Sequence, residues 1–127
     1  MAFYSRKVNN PELGVSGEED AAKYLKKSGY KILDRGYRIP AGELDIVVCK
    51  KNTLVFVEVK ARKGTKFGGP LAAVTKAKQR RIVTAALSYI GQKKLKYTSV
   101  RFDVVAIVEG SPLEHIENAF IPDRFSY

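Results

Sequence analysis

The chain is poor in the residues that many small-protein chemistries need. Its 127 residues include one cysteine, Cys49, and one histidine, His115. A lone thiol closes no internal disulfide, so packing must hold the fold, and a reducing, cytoplasmic setting is expected. One cysteine and one histidine also exclude a zinc finger or any other Cys/His metal cluster. No apolar run approaches the roughly 18 residues of a membrane-crossing helix. Arg6 and Lys7 are followed by no apolar stretch, so Met1–Asn10 does not read as a secretory signal. Repeats, low-complexity tracts and linkers are lacking, and the length suits a single domain over residues 1–127.

What the chain has instead is positive charge, unevenly placed. Lys and Arg number 23 against 13 Asp and Glu, a net of +10. Apolar residues at 45% suffice for a packed core and rule out a disordered chain. Residues 1–49 are nearly balanced, with 8 basic and 7 acidic side chains, and residues 102–127 hold 1 basic and 5 acidic. Residues 50–101 hold 14 basic side chains and a single acid, Glu58. Solubility does not need so one-sided a block, so a phosphate-binding surface explains it better than a solvated lysine face. A membrane surface fits less well, because these cations are not gathered on one amphipathic helix. The lone acid lies inside an apolar run, Leu54-Val55-Phe56-Val57-Glu58-Val59-Lys60, where a carboxylate needs a reason.

Punctuation and periodicity set the elements. Asn10-Pro11 supplies an N-cap and a first-turn proline, Gly14 and Gly17 delay the helix toward Ser16, and Gly29 stops it after Ser28. Tyr30–Ile39, Glu43–Lys50 and Thr53–Ala61 read as strands, joined by turns at Pro40-Ala41-Gly42 and Lys51-Asn52. Lys63–Pro70 is a Gly-rich basic loop, a candidate lid over a nucleic-acid groove. Leu71–Ile90 reads as a second helix closed by Gly91, with Val74, Ala77, Ile82 and Ala85 on its inner face. Ser99–Val108 is a fourth strand and Leu113–Phe120 a short fifth. The order predicts an α/β layer structure, a mixed central sheet of about five strands flanked by helices.

Side chains alternate along a strand. Alternation puts Glu43 and Asp45 on one face and Leu44, Ile46 and Val48 on the other; on the next strand Glu58 and Lys60 share a face, with Val55, Val57 and Val59 opposite. One hairpin therefore brings Asp45, Glu58 and Lys60 to a common patch. Two carboxylates suit Mg²⁺ or Mn²⁺, and a lysine beside them can hold water or steady the charge growing on a phosphate. In the first helix Glu18, Ala21, Ala22 and Leu25 fall at i, i+3, i+4 and i+7, so Glu18 faces the sheet, away from Lys23, Lys26 and Lys27. An inward carboxylate needs a partner or a metal. The competing reading is a pair of salt bridges from Asp45 and Glu58 to Lys60 and Arg62. Glu-x-Lys alone says little in a chain with 8 Glu and 15 Lys; the information lies in Gly-Glu-Leu-Asp, a hairpin and then the triplet inside a basic block.

Gly17-Glu18, Gly42-Glu43-Leu44-Asp45-Ile46, Phe56-Val57-Glu58-Val59-Lys60-Ala61-Arg62, Phe67-Gly68, Lys78-Gln79, Arg101-Phe102-Asp103-Val104-Val105 and Asn118-Ala119-Phe120 together resemble the YraN family of small bacterial proteins, over about residues 14–120. That family is similar to the PD-(D/E)xK nuclease superfamily and, in layout, to archaeal Holliday-junction resolvases. The resemblance implies a restriction-endonuclease-like fold, with Glu18 as the first-helix glutamate, Asp45 as the metal-binding aspartate, and Glu58 and Lys60 as the (D/E)xK pair. Leu44 stands where the superfamily's name has proline.

The expected function is a Mg²⁺- or Mn²⁺-dependent nuclease on DNA phosphodiesters, structure-selective, in recombination or repair. Asp45, Glu58, Lys60 and Glu18 are its expected catalytic residues, with Asp45, Glu58 and Glu18 on the metal. Arg62, Lys63, Lys66, Lys76, Lys78, Gln79, Arg80 and Arg81 are the expected nucleic-acid contacts. A resolvase-like role would need a homodimer to cut two strands symmetrically. The alternative is a non-catalytic nucleic-acid-binding module that keeps the fold. Among lesser residues, Glu43 reads as a turn hydrogen-bonder, Arg101 and Asp103 as an internal salt bridge, Cys49 as core, and His115 as a surface or packing residue.

Overall fold

The computed structural model describes residues 13–62, 69, 72 and 74–122 of the chain. Its elements are α1 (Leu13–Lys27), β1 (Lys31–Ile39), β2 (Gly42–Lys50), β3 (Thr53–Arg62), α2 (Lys76–Lys93), β4 (Ser99–Val108) and β5 (Glu114–Ile116). The strands form one sheet in chain order, β1 to β5. Neighbours are antiparallel except β3 and β4, which run parallel in unbroken register from Thr53 opposite Ser99 to Arg62 opposite Val108. A parallel pair needs a crossover connection, and α2 lies in it.

One helix covers each face. Period-two alternation along β3 sends Leu54 and Phe56 toward α2, where they pack with Ile82, Val83 and Tyr89, and sends Val55 and Val57 toward α1, where they pack with Ala21 and Leu25. The α2 side is aromatic: Phe56 stacks on Phe102 at 5.5 Å between ring centroids, and Phe102 on Phe120 at 5.1 Å. Phe56 is 1% exposed, so truncating it to alanine is expected to cost about 3–5 kcal/mol.

The boundaries differ from the sequence reading at informative places. Asn10-Pro11 and Lys63–Gly68 fall outside the described residues, and with them most of the basic loop; α1 already runs from Leu13, so Gly14 and Gly17 do not delay it to Ser16. α2 starts at Lys76, not Leu71, because Thr75 caps it: its side-chain oxygen accepts the Lys78 amide at 3.2 Å. The helix also passes through the exposed Gly91 and ends on Lys94 in the left-handed region at φ 52°. Ala77, expected inside, is exposed in this shifted frame. β5 is three residues long rather than eight, because Asn118 turns the chain at φ 53° and gives its amide to the Asp103 side chain instead of a neighbouring strand. Cys49, expected in the core, is only half-buried near the end of β2, opposite Lys31 of β1.

Candidate active site

β2 and β3 pair from Lys50 opposite Thr53 as far as Ile46 opposite Val57, and there the pairing stops. Beyond that point β2 stays with β1, while β3 stays with β4. The split opens a notch in the sheet. Alternation fails there too: Leu44, expected beside Ile46 and Val48 on the α1 side, packs in the α2 cluster. The Val59 amide, left without a backbone partner from β2, is taken by Asp45 Oδ2 at 2.8 Å.

Both helices are drawn close by glycine. A Cβ at Gly17 would stand 2.8 Å from that of Ala61, so α1 approaches the end of β3 as only glycine allows. Gly42 is pressed against the Arg81 carbonyl of α2 with no room for a side chain. Glu18 thus reaches the notch from one face and Lys78 from the other.

Glu58 is the centre of the site. It is 6% exposed, and its Oε2 lies 3.3 Å from Lys60 Nζ and 3.4 Å from Lys78 Nζ. The Glu58 charge holds the Lys78 ammonium above its ordinary pKa. Asp45 stands within hydrogen-bonding reach of Glu58; burial, then the Glu58 charge, push its carboxyl up to about 7, against the lowering effect of the Val59 amide. Burial also raises Glu18, with Glu43 and Glu58 adding to the effect and Arg35 opposing it. Asp45, Glu58, Lys60 and Glu18 are therefore brought together. Among the described residues no three acidic, histidine or cysteine side chains close on one point as a ready-made metal cage. The core of the site is the Asp45–Glu58 pair, with Glu18 further out.

The expected nucleic-acid contacts divide. Lys76, Arg80 and Arg81 are exposed on α2, and Arg62 is half-buried at the end of β3. Lys78 belongs to the acid site itself. Gln79 turns its amide back onto the Val74 carbonyl at 3.1 Å. Lys63 and Lys66 lie outside the described residues. Glu43 is held by Arg38 across the β1–β2 hairpin at 2.8 Å, in line with its turn reading.

A second polar network lies on the α1 side of β4. Asp103, 1% exposed, receives Arg101 at 2.8 Å through both carboxylate oxygens, His115 Nε2 at 2.7 Å and the Asn118 amide at 3.0 Å. Burial alone would raise the Asp103 carboxyl, but the bonds to His115 and Arg101 outweigh it and hold the group below its ordinary range. Arg101 also donates to the Tyr30 hydroxyl at 2.6 Å, and the Tyr24 hydroxyl meets His115 Nδ1 at 2.8 Å. The Arg101–Asp103 bridge matches the sequence reading; the ties to α1 through Tyr24 and to Tyr30 had no sequence signal. Nor did Asp20, a fully buried carboxylate on α1.

A mixed five-stranded sheet with one helix on each face, and a Glu58-x-Lys60 strand beside Asp45 in a split of that sheet, has the layout of the restriction-endonuclease-like folds and of the PD-(D/E)xK superfamily. Residues 17–107 match the model of the family described as "Uncharacterised protein family UPF0102", the family of the YraN proteins, and the chain belongs to it. It is 47% identical over 118 residues to the UPF0102 protein of Geotalea daltonii, covering 90% of this chain and 93% of that one. It is 45% identical over 118 residues to that of Caldicellulosiruptor saccharolyticus, covering 93% and 100%. The UPF0102 protein of Rhodococcus opacus is 43% identical over 117 residues, covering 89% and 99%. No described helix is long and apolar enough to cross a membrane.

Proposed function

We propose that the protein is a divalent-cation-dependent nuclease acting on DNA phosphodiesters, selective for substrate structure and serving recombination or repair. The observation that carries this reading is the placing of Asp45 beside Glu58 in a buried notch, where burial, and after it the Glu58 charge, push the Asp45 carboxyl up to about 7. Packing two carboxylates so closely weakens a metal-free fold, and a cation between them reverses that cost. The donor set suits Mg²⁺ or Mn²⁺: carboxylate oxygens only, with no sulfur or imidazole. Asp45 and Glu58 would hold the ion, with Glu18 as outer support. Such an ion, when bound, polarises a phosphodiester and lowers the pKa of a bound water. Lys60, 3.3 Å from Glu58, would steady the charge growing on the phosphate, and Lys78 stands 3.4 Å from the same carboxylate. A resolvase-like activity would require two copies to cut opposed strands symmetrically.

One observation favours a second reading, a nucleic-acid-binding module without catalysis. Glu58 is already met by two ammonium groups, and the described residues hold no three-sided metal cage. The deciding experiment is a cleavage assay with Mg²⁺ or Mn²⁺ on branched, flapped and single-stranded substrates, run beside binding measurements. Under the first reading the wild type cuts, and Asp45→Asn and Glu58→Gln lose cleavage by orders of magnitude while keeping affinity. Binding without cleavage on any substrate makes the second reading the correct one.

A further inference from the structure

On the outer side of α1, against β1, lies an open cleft of about 580 Å³. Its charged lining is Lys23, Lys26, Lys31, Arg35 and one acid, Glu19. Glu19 is already engaged: Arg35 Nη1 meets it at 2.8 Å, and Arg35, Lys23 and Lys26 all hold it ionised. The cleft therefore keeps an excess of positive charge. Counting charge along the chain hides this, because residues 1–49 are nearly balanced; folding gathers these cations on one side.

We infer that this cleft is a second phosphate track, taking the backbone of a single nucleic-acid strand, a flap or branch arm, as it leaves the notch. The inference rests on the nucleic-acid reading above and states where the substrate runs. Arg35 joins the two places: it stands opposite Ile46, next to Asp45, and its charge acts on Glu18. From Arg35 to Lys31 β1 extends about 13 Å at about 3.3 Å per residue. That is longer than one phosphate group, a stretch rather than a seat for one phosphate. The one aromatic hydroxyl of the lining, on Tyr30, is engaged by Arg101 at 2.6 Å, so the cleft reads backbone and not bases.

The placing of the two basic surfaces gives the substrate class. Lys76, Arg80 and Arg81 lie on α2, on the opposite face of the sheet from α1. A straight duplex cannot rest on both faces at once, whereas a strand crossing the end of the sheet where β2 and β3 part can touch α2 on one side and the cleft on the other.

The test is fluorescence anisotropy in EDTA, on a flapped duplex and on a blunt duplex of equal length. The triple variant Lys23→Ala/Lys26→Ala/Lys31→Ala changes three exposed side chains and should melt as the wild type does. It should bind the flap tenfold or more weakly, with the slope of log K against log[salt] smaller by about 2, and bind the blunt duplex unchanged. An unchanged flap affinity and slope would overturn the inference. If Lys76→Ala/Arg80→Ala/Arg81→Ala weakens binding while the α1–β1 variant does not, only the second track is lost and the nucleic-acid reading stands. An equal loss on the blunt duplex overturns the path from one face to the other. A wild type that binds neither oligonucleotide removes both the inference and the reading beneath it.

Discussion

Asp45 Oδ2 accepts the Val59 amide at 2.8 Å, so a side chain of β2 bridges to β3 just where their backbones have separated. Asparagine keeps that acceptor and alanine does not. Asp45→Asn should fold at least as stably as the wild type at pH 7, and Asp45→Ala should fall below Asp45→Asn by about 1–3 kcal/mol, the cost of a stranded donor. Urea titration of the two variants checks this; equal midpoints would mean that the bond contributes nothing.

The same carboxyl sets a pH trend in the metal-free protein. Its folded value is raised, to about 7, so its contribution to stability is complete below the ordinary aspartate value and is lost as pH rises through about 7. Melting temperature in EDTA should decline between pH 4 and pH 8, and Asp45→Asn should flatten that decline. An identical slope in wild type and variant counts against the acid pair as its source.

Divalent ions should act on the same pair from the other direction. Millimolar Mn²⁺ should raise the wild-type melting temperature by linkage, by about 2.7 kcal/mol of stability at 100 times the dissociation constant. Asp45→Asn and Glu58→Gln should lose the response. A wild-type melt indifferent to Mn²⁺ and Mg²⁺ removes the metal from the proposed mechanism.

Lys60 and Lys78 both stand against Glu58 Oε2, at 3.3 and 3.4 Å. Each alone should be dispensable at a cost of about 1 kcal/mol, since the other remains. Removing both strands a buried charge and should cost about 3–5 kcal/mol, more than the sum of the two. Glu58→Gln in the double variant should restore most of the loss. Additive singles would show that the lysines act independently.

Asp103 gives the opposite pH dependence from Asp45. Held below its ordinary range, it stabilises the fold above about pH 4 and withdraws that support as pH falls through its lowered value. Asp103→Asn should cost about 3–5 kcal/mol at neutral pH, by leaving Arg101 with a buried uncharged neighbour, and should shrink the acid-side loss of stability. Melting from pH 2 to pH 7 measures both effects.

Much of this architecture is legible in the sequence, and the misses have local causes. β4 runs from Ser99 to Val108 as its apolar run predicts, and the Lys51-Asn52 turn falls where expected, with Lys51 at φ 56°. Asp45, Glu58 and Lys60 come together because hairpin geometry depends on short-range rules. Leu44 is misplaced because strict alternation assumes a regular strand, and Leu44 lies past the point where the β2–β3 pairing ends. The start of α2 is misread because Leu71-Ala72-Ala73 are good helix formers, while the cap is one hydroxyl on Thr75. Lys78 and Gln79 look equivalent in sequence, yet one meets Glu58 and the other its own helix start. The tie from Tyr24 to His115 joins residues far apart in the chain, beyond the reach of periodicity, and the α1–β1 cleft depends on how the helix packs beside β1.

The one parallel pairing in the sheet also orders events in time. β1, β2 and β3 are joined by short turns and close at little entropic cost, whereas β4 must wait for the whole crossover that carries α2. On this order Asp45 and Glu58 should meet early in folding, before Lys78 is delivered to them. Contacts formed after the rate-limiting barrier slow unfolding and leave the folding rate alone. Lys78 should then act as a late latch: Lys78→Ala should speed unfolding and leave the folding rate unchanged.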